Sequence, residues 1–434
     1  MSSAVMPSQS FAMAFRLPLQ PPIKRMLRIL SPSRVNWMVV AHVPLVLNVS
    51  SMGDNVVYLW IVQGVDYALF VPTDIYIEND CVKNHAKNLL AVGKCALVMT
   101  GRHSAAANGS LKDVTNVLEA GKVSFLVFNE VEENPSTDTL RKAASVARKF
   151  KVDFVIGIGG GSAIDAAKAV ALLLSNPDID ADDLHKVPSH PLGHLPVVAV
   201  PTTCGTGSEA TPVAIITNRK INLKKSIPHV IFPTLALVDG KYLASAKKQL
   251  IVNTAIDALS HMVESILNVK SNAFNRMFPE YGLKLWGECK DALLADGDVD
   301  ASLYEKLMLT STIAGMSIAH TSTTLPHGMS YDLTLHANVP HGPAVGYFLA
   351  AYTEVCAKFV PQDVDKILAL LGLKTLDEFT AMIQKLIGTY SVTREMRDKF
   401  AAAMKVNRSK LDLAPGPISA EDVDYIYEKS LVVG

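Results

Sequence analysis

The sequence predicts a two-part fold, an α/β half with a mostly parallel sheet over residues 66–242 and an all-helical half over residues 243–434. Three observations carry this. Up to about Gly240, short apolar runs alternate with stretches of helical period, the pattern of a sheet covered by helices on both faces. Beyond Leu243 the β-branched runs become rare and long helical periods take over. One carboxylate and three histidines, Asp257, His261, His327 and His341, then gather in that second half.

Taken in order, residues 1–65 read as a separate extension outside the fold. No Asp or Glu precedes Asp54, while Arg16, Lys24, Arg25, Arg28 and Arg34 are basic and serines are frequent. Such a composition is that of an organellar transit peptide, or of translated sequence upstream of the true start; the second reading is preferred. The apolar run from Val35 to Leu47 is too short to span a bilayer and contains Pro44, so no membrane segment is expected. A well-patterned protein begins near Asp66 with YALFVPTDIYI.

Within the first half, CALVMT, VSFLVF, DFVIGIG and PVVAVPTT are strand-like and bounded by Gly, Pro or charged residues. LKDVTNVLEAG and TDTLRKAASVARKF, between them, carry apolar residues at helical spacing. In the second half, NTAIDALSHMVESILN, SLYEKLMLTSTIAGMSIA and VDKILALLGL are helical in period. With 434 residues the chain has room for two cores. Its 41 basic and 41 acidic side chains cancel, which excludes a broad nucleic-acid-binding surface. Five cysteines lie far apart with no CxxC, as expected of reduced thiols in a cytosol-like compartment.

The first motif with chemical content is DFVIGIGGGSAIDAAKAVALLL. A buried strand runs into Gly159, Gly160, Gly161 and Ser162, and a helix starts at once. Glycines there let a phosphate approach the backbone, and the free N–H groups of a helix start favour an anion. The pattern is neither the GxGxxG fingerprint nor a P-loop, and alone it also suits a tight turn without ligand. One strand later, PTTCGTGSEAT interleaves Thr202, Thr203, Thr206 and Ser208 with glycines, a loop suited to ribose and phosphate hydrogen bonds. Asp165 and Lys168, at the helix start, read equally as ligand contacts or as a solvated pair.

Asp257 and His261 stand four apart in a helical stretch and so share a face. With His327 and His341 they make a full ligand set for a borderline divalent ion, Fe²⁺ or Zn²⁺. Glu264 follows His261 by three, and supporting the ligands or ordinary solvation fits it equally. His185, His190 and His194 fall in a Pro/Gly-rich loop and are expected to face solvent. Nothing beside Cys204 suggests an activated thiolate.

GGGSAIDAAK, PTTCGTGSE, DALSHMVE and HGM…VPHG, in this order and spacing, resemble the iron-containing (group III) alcohol dehydrogenases, in particular their butanol and 1,3-propanediol branch. The resemblance runs from Asp66 to the C-terminus. It implies a dinucleotide-binding α/β domain, a helical metal-binding domain and a cleft between them. It places the metal ligands on Asp257, His261, His327 and His341, and the pyrophosphate contacts on Gly159, Gly160, Gly161 and Ser162. Thr202, Thr203 and Ser208 become nicotinamide-side contacts, Lys225 the lysine reaching the nicotinamide ribose, and Asn134 the Asn-Pro turn near the cofactor. Many members of the family carry a histidine where this chain has Tyr331, which leaves Tyr331, His336 or ordered water to relay a proton.

The strand CALVMT is followed by Gly101, Arg102, His103 and Ser104, where strict NAD users of the family often carry an aspartate. Without that charge a 2′-phosphate is not repelled, and Arg102 and Ser104 can hold it, so NADP(H) is favoured over NAD(H). The expected activity is hydride transfer between this cofactor and a small primary alcohol or aldehyde, in a cytoplasmic homodimer or larger homo-oligomer. A dehydroquinate synthase-like lyase shares the layout but needs a lysine- and arginine-lined site. Lys270, Arg276, Lys284, Lys290 and Lys306 are the only such residues between 257 and 341, none beside a ligand. A non-catalytic relative that binds cofactor without turnover is the third reading.

Overall fold

Eight strands, β1 (Asp74–Ile77), β2 (Cys95–Thr100), β3 (Ser124–Phe128), β4 (Phe154–Gly159), β5 (Val197–Pro201), β6 (Ile215–Asn218), β7 (Leu223–Ser226) and β8 (Leu235–Val238), shape the first half of the computed structural model. The structure describes residues 69–434, so the expectation for residues 1–65 lies outside it. Six of the strands form one parallel sheet in the order β1-β8-β5-β4-β2-β3. In β2 alternate residues serve opposite faces. Leu97 and Met99 join one core cluster, while Ala96 and Val98 join the other. Both faces are buried, so the strand reads as an unbroken apolar run.

Helix α1 (Ser110–Ala120) covers one face through Val114 and Leu118. Helices α2 (Thr137–Phe150) and α3 (Gly161–Ser175) cover the other, with Leu140, Ala143 and Ala147 of α2 against Ala166 and Val170 of α3. Ser136 caps α2 by accepting from the Thr139 N–H, and Lys151 in a left-handed conformation ends it. From β2 the chain steps outward to β3, then returns past β2 to β4. The carboxyl ends of β2 and β4 are therefore the reversal point, where open parallel sheets bind ligands.

The second half centres on α4 (Lys248–Ile266), which is buried without interruption from Ala255 to Ile266. Around it pack α5 (Met277–Leu294), α6 (Tyr304–Thr321), α7 (Leu325–His336) and α8 (His341–Cys356), either directly or through one another. The Trp286 indole N–H donates to Ala255 O at 2.8 Å and ties α5 to α4.

Two features differ from expectation. The second half is largely rather than wholly helical, because Tyr390–Val392 and Leu431–Val433 pair as short parallel strands. The antiparallel hairpin β6–β7 is also unanticipated from the sequence. The halves meet closely at Gly207, whose φ of 58° is left-handed. A Cβ there would sit 2.4 Å from Ser311 O on α6, so only glycine fits.

Candidate metal and nucleotide site

Asp257 and His261 point from one face of α4, His327 lies in the first turn of α7, and His341 opens α8. Asp257 Oδ1 is 3.4 Å from His327 Nε2, 3.6 Å from His341 Nε2 and 3.8 Å from His261 Nε2. Two ligands each ~2.1 Å from a tetrahedral ion stand ~3.4 Å apart, so these separations suit a shared cation. Asp257, His261 and His327 form the tighter group, with ligand atoms all within 4.8 Å of one another. His341 stands outside that mutual group and is the most open of the four, at 30% side-chain exposure.

Asp257 Oδ1 and His327 Nε2 are buried and lack a hydrogen-bond partner, a costly arrangement that a divalent ion would relieve. Burial raises the Asp257 carboxyl, but His261, His341 and His327 together outweigh that and hold it well below the carboxylate range. Burial lowers His261 to about 4 and His341 to about 3 despite the pull of Asp257, so both offer neutral lone pairs. His327 differs. Burial would lower it, yet Glu264 and Asp257 raise it to about 9, so a proton occupies it until a cation displaces that proton.

Glu264, fully buried, settles the question the sequence left open. Its Oε1 contacts His327 Nδ1, and its Oε2 accepts from Thr324 N at 2.6 Å and Thr324 Oγ1 at 3.0 Å. Nδ1–H donation to a carboxylate leaves Nε2 of His327 facing Asp257, the arrangement that orients a metal-binding imidazole.

A cavity of about 580 Å³ runs from the carboxyl ends of β2 and β4 to this cluster. Gly101, Ser104, Asn134, Gly159, Gly160, Gly161, Ser162, Asp165, Thr203, Thr206 and Ser208 lie on its wall, as do Asp257, His261, His327, Tyr331 and His341. Gly159 has a φ of 150°, and a Cβ on Gly161 would come within 2.8 Å of Thr206 Cγ2. The turn and the threonine loop therefore touch with no room for side chains between them, a cradle suited to a dinucleotide. Ser162 Oγ accepts from Asn134 N at 3.2 Å and holds the Asn-Pro turn against α3.

Asp165 and Lys168 are not a solvated pair. Asp165 accepts from Ser208 Oγ at 2.6 Å and Ile215 N at 2.9 Å. Lys168, wholly buried, donates to Ser208 O at 2.7 Å, Thr211 O at 2.9 Å and Val213 O at 2.8 Å. Burial lowers its ammonium to about 8 although Asp165 and Glu209 attract the charge. The pair clamps the loop that follows β5. Cys204 within that loop is buried, and burial pushes its thiol up to about 11, in keeping with an inert sulfur.

Four expected positions lie off the cavity wall. Thr202 is buried and off the cavity wall, its N–H donating to Gly159 O at 3.0 Å to extend the sheet. Arg102 is exposed and off the wall, whereas its neighbours Gly101 and Ser104 lie on it. Lys225 is exposed, and Lys224 takes the cavity position instead. In β7 alternate residues face alternate sides, so Lys224 and Ser226 share the cavity face and Lys225 the other. His336 is exposed and stacks on Phe400 at 5.8 Å. Nine residues after His327 on one helix, it lies half a turn away from the cluster. His185 also departs from expectation, because its Nε2 lies 3.1 Å from Ile216 O and braces the hairpin.

Among the wall residues that the sequence did not mark are two lysines, Lys224 and Lys410. Lys410 sits in the short helix Arg408–Leu411, and no motif marks it.

A parallel-sheet nucleotide cradle opening onto a buried carboxylate–imidazole cluster defines a class of two-part protein built for a dinucleotide and a metal. The chain belongs to the iron-containing alcohol dehydrogenase family: residues 72–240 match "Iron-containing alcohol dehydrogenase" and residues 251–430 match "Fe-containing alcohol dehydrogenase family, C-terminal". An iron-containing alcohol dehydrogenase of Thermotoga maritima superposes with a TM-score of 0.77 at 33% identity, covering 84% of this chain and 99% of that one. The bifunctional aldehyde-alcohol dehydrogenase of Escherichia coli is 30% identical over 287 residues, 63% of this chain and 32% of the relative, so the match spans about a third of that protein. The NADPH-dependent butanol dehydrogenase of Clostridium saccharobutylicum is 28% identical over 282 residues, covering 64% of this chain and 71% of the relative.

Proposed function

We propose that the chain interconverts small aldehydes and primary alcohols with a nicotinamide dinucleotide: aldehyde + NAD(P)H + H⁺ ⇌ alcohol + NAD(P)⁺. The observation that carries the reading is that the glycine turn after β4 and the Asp257 cluster open on one cavity. When bound, Fe²⁺ or Zn²⁺ supplies positive charge that polarises a carbonyl, and the nicotinamide supplies the hydride. Asp257, His261, His327 and His341 are the residues that would hold the cation, with Glu264 fixing the ring of His327. Gly160, Gly161 and the start of α3 receive the pyrophosphate, while Thr203, Thr206 and Ser208 flank the cofactor toward the cluster.

Tyr331 lines the cavity with its ring 6.5 Å from that of His341. Burial, with Glu264 and Asp257 adding to it, pushes its phenol well above the usual range, so it keeps its proton and acts as a hydrogen-bond donor. NADP(H) remains the preferred cofactor in this reading because Gly101 puts no acidic group on the wall, and Ser104 lies beside it. Relatives bear names pointing both ways: one is the NADPH-dependent butanol dehydrogenase, another a sulfoacetaldehyde reductase of Bifidobacterium kashiwanohense in complex with NAD⁺. The family resemblance extends the reading to a cytoplasmic homodimer. Among the described residues no helix is long and apolar enough to cross a membrane.

Steady-state reduction of butanal and propanal by metal-loaded protein tests the proposal. Turnover is expected with NADPH preferred to NADH, and Gly101→Asp should move the preference toward NADH. No turnover of these or of any other short aldehyde with either cofactor overturns the activity, and an unchanged cofactor ratio in Gly101→Asp overturns the NADP(H) assignment.

A further inference from the structure

Two lysines border the metal end of the cavity, and the chemistry proposed above leaves Lys410 without a task. Its stem crosses α7 at Gly328, where a Cβ would meet Lys410 Cγ at 2.9 Å. Gly328 follows His327, so the glycine admits the lysine next to a ligand of the cluster. Lys410 Nζ donates to Thr323 O at 2.8 Å and to Thr323 Oγ1 at 2.8 Å. An ammonium carries three protons, so one donor is left over.

No carboxylate pairs with it among the described residues. Glu264 is the acidic group that attracts it, yet both Glu264 oxygens are engaged, Oε1 by His327 and Oε2 by Thr324. Lys224, on the same wall, donates to Thr334 Oγ1 at 3.3 Å and is attracted by Glu133, Asp257 and Asp165 without forming an ion pair among the described residues. Burial lowers both ammonium groups to about 8, although Glu133, Asp257 and Asp165 attract Lys224 and Glu264 attracts Lys410. The dinucleotide phosphates are placed at the start of α3, whereas Lys410 stands against α7 at Gly328, beside the ligand His327. A half-buried cation with a free donor beside the reacting centre is costly unless the ligand brings a negative charge.

We propose that the preferred substrate is a short aldehyde carrying an anionic group, a carboxylate or sulfonate, at its far end, with Lys410 as the residue that binds that group. The assignment rests on the reductase reading and deepens it. The carbonyl sits at the Asp257 cluster and a few methylenes carry the anion to Lys410 across Gly328. An aliphatic alcohol of equal length fills the same space but leaves the ammonium unpaired.

The test compares 4-oxobutanoate with butanal, four carbons each, in wild type, Lys410→Gln and Lys410→Arg. Gln retains a donor for Thr323 and removes the charge; Arg retains the charge. Wild type should show the higher kcat/KM on 4-oxobutanoate, and the ratio of the two kcat/KM values should fall roughly 10- to 100-fold in Lys410→Gln and recover in Lys410→Arg, as for loss of a charge-assisted hydrogen bond. A wild-type preference for butanal, or a ratio unchanged in Lys410→Gln because both rates drop together, overturns the assignment. Should neither aldehyde be reduced, the reductase reading fails. Equilibrium binding then decides the lysine's role: 4-hydroxybutanoate must bind the metal-loaded protein more tightly than 1-butanol, and Lys410→Gln must abolish that difference, or the assignment is overturned.

Discussion

Glu264 stands three residues after His261, and its carboxylate joins two elements, gripping His327 Nδ1 through one oxygen and the Thr324 backbone and hydroxyl through the other. Replacing it by glutamine keeps the shape but weakens the acceptor that aligns His327. Metal affinity in Glu264→Gln should therefore fall roughly 10- to 100-fold, read by chelator competition, with nucleotide affinity retained. Unchanged metal affinity would contradict the role given to Glu264. At this scale the sequence was uneven in what it disclosed. Asp257 and His261 were legible because their spacing of four is one helical turn. Glu264 was not, because a spacing of three from His261 serves a solvated helix residue equally, and only burial separates the two cases. Lys410 lies some 70 residues beyond His341 and reaches the cavity solely through tertiary packing.

The best-read elements were those whose pattern and boundaries agree. TDTLRKAASVARKF is α2 in full, since its apolar stripe, its Ser136 cap and its left-handed end all fall where the period changes. CALVMT is β2 in full. The hairpin was missed because IITN and LKKS are four residues each, too short to show the alternation of a strand, and joined by the charged turn RKIN. Lys225 was carried over from the family resemblance, whereas the alternation of β7 puts Lys224 on the cavity wall. The turn after β4 offers a prediction at this scale. In Gly161→Ala the new methyl group meets Thr206 Cγ2 at 2.8 Å and must displace the loop. NADPH binding, followed by fluorescence titration, should weaken by about tenfold, or about 1.4 kcal/mol, while metal content holds. Wild-type affinity in that variant would show that the touching loops do not form the cradle.

Across the whole molecule, the cavity takes its cradle from the sheet and its ligands from the helices, and neither half alone presents both. The two-part division was readable in the change from alternating to continuous helical period. The manner of joining was not: the contact of Gly207 with Gly315, where a Cβ on Gly315 would lie 2.2 Å from Gly207 O, links residues far apart in the chain with no local signature. His327 and His341 were singled out with Asp257 and His261 as a ligand set, which the family resemblance also implies, and the packing of α7 and α8 beside α4 is what brings them to Asp257. The joining of these elements around one cation is the claim on which the activity, the role of Glu264 and the anion-binding role of Lys410 depend. It is tested most directly by elemental analysis of protein purified without oxygen, wild type beside Asp257→Ala. Close to one iron or zinc per chain is expected in the wild type and almost none in the variant. Equal metal in both, or none in the wild type even after loading, would contradict it.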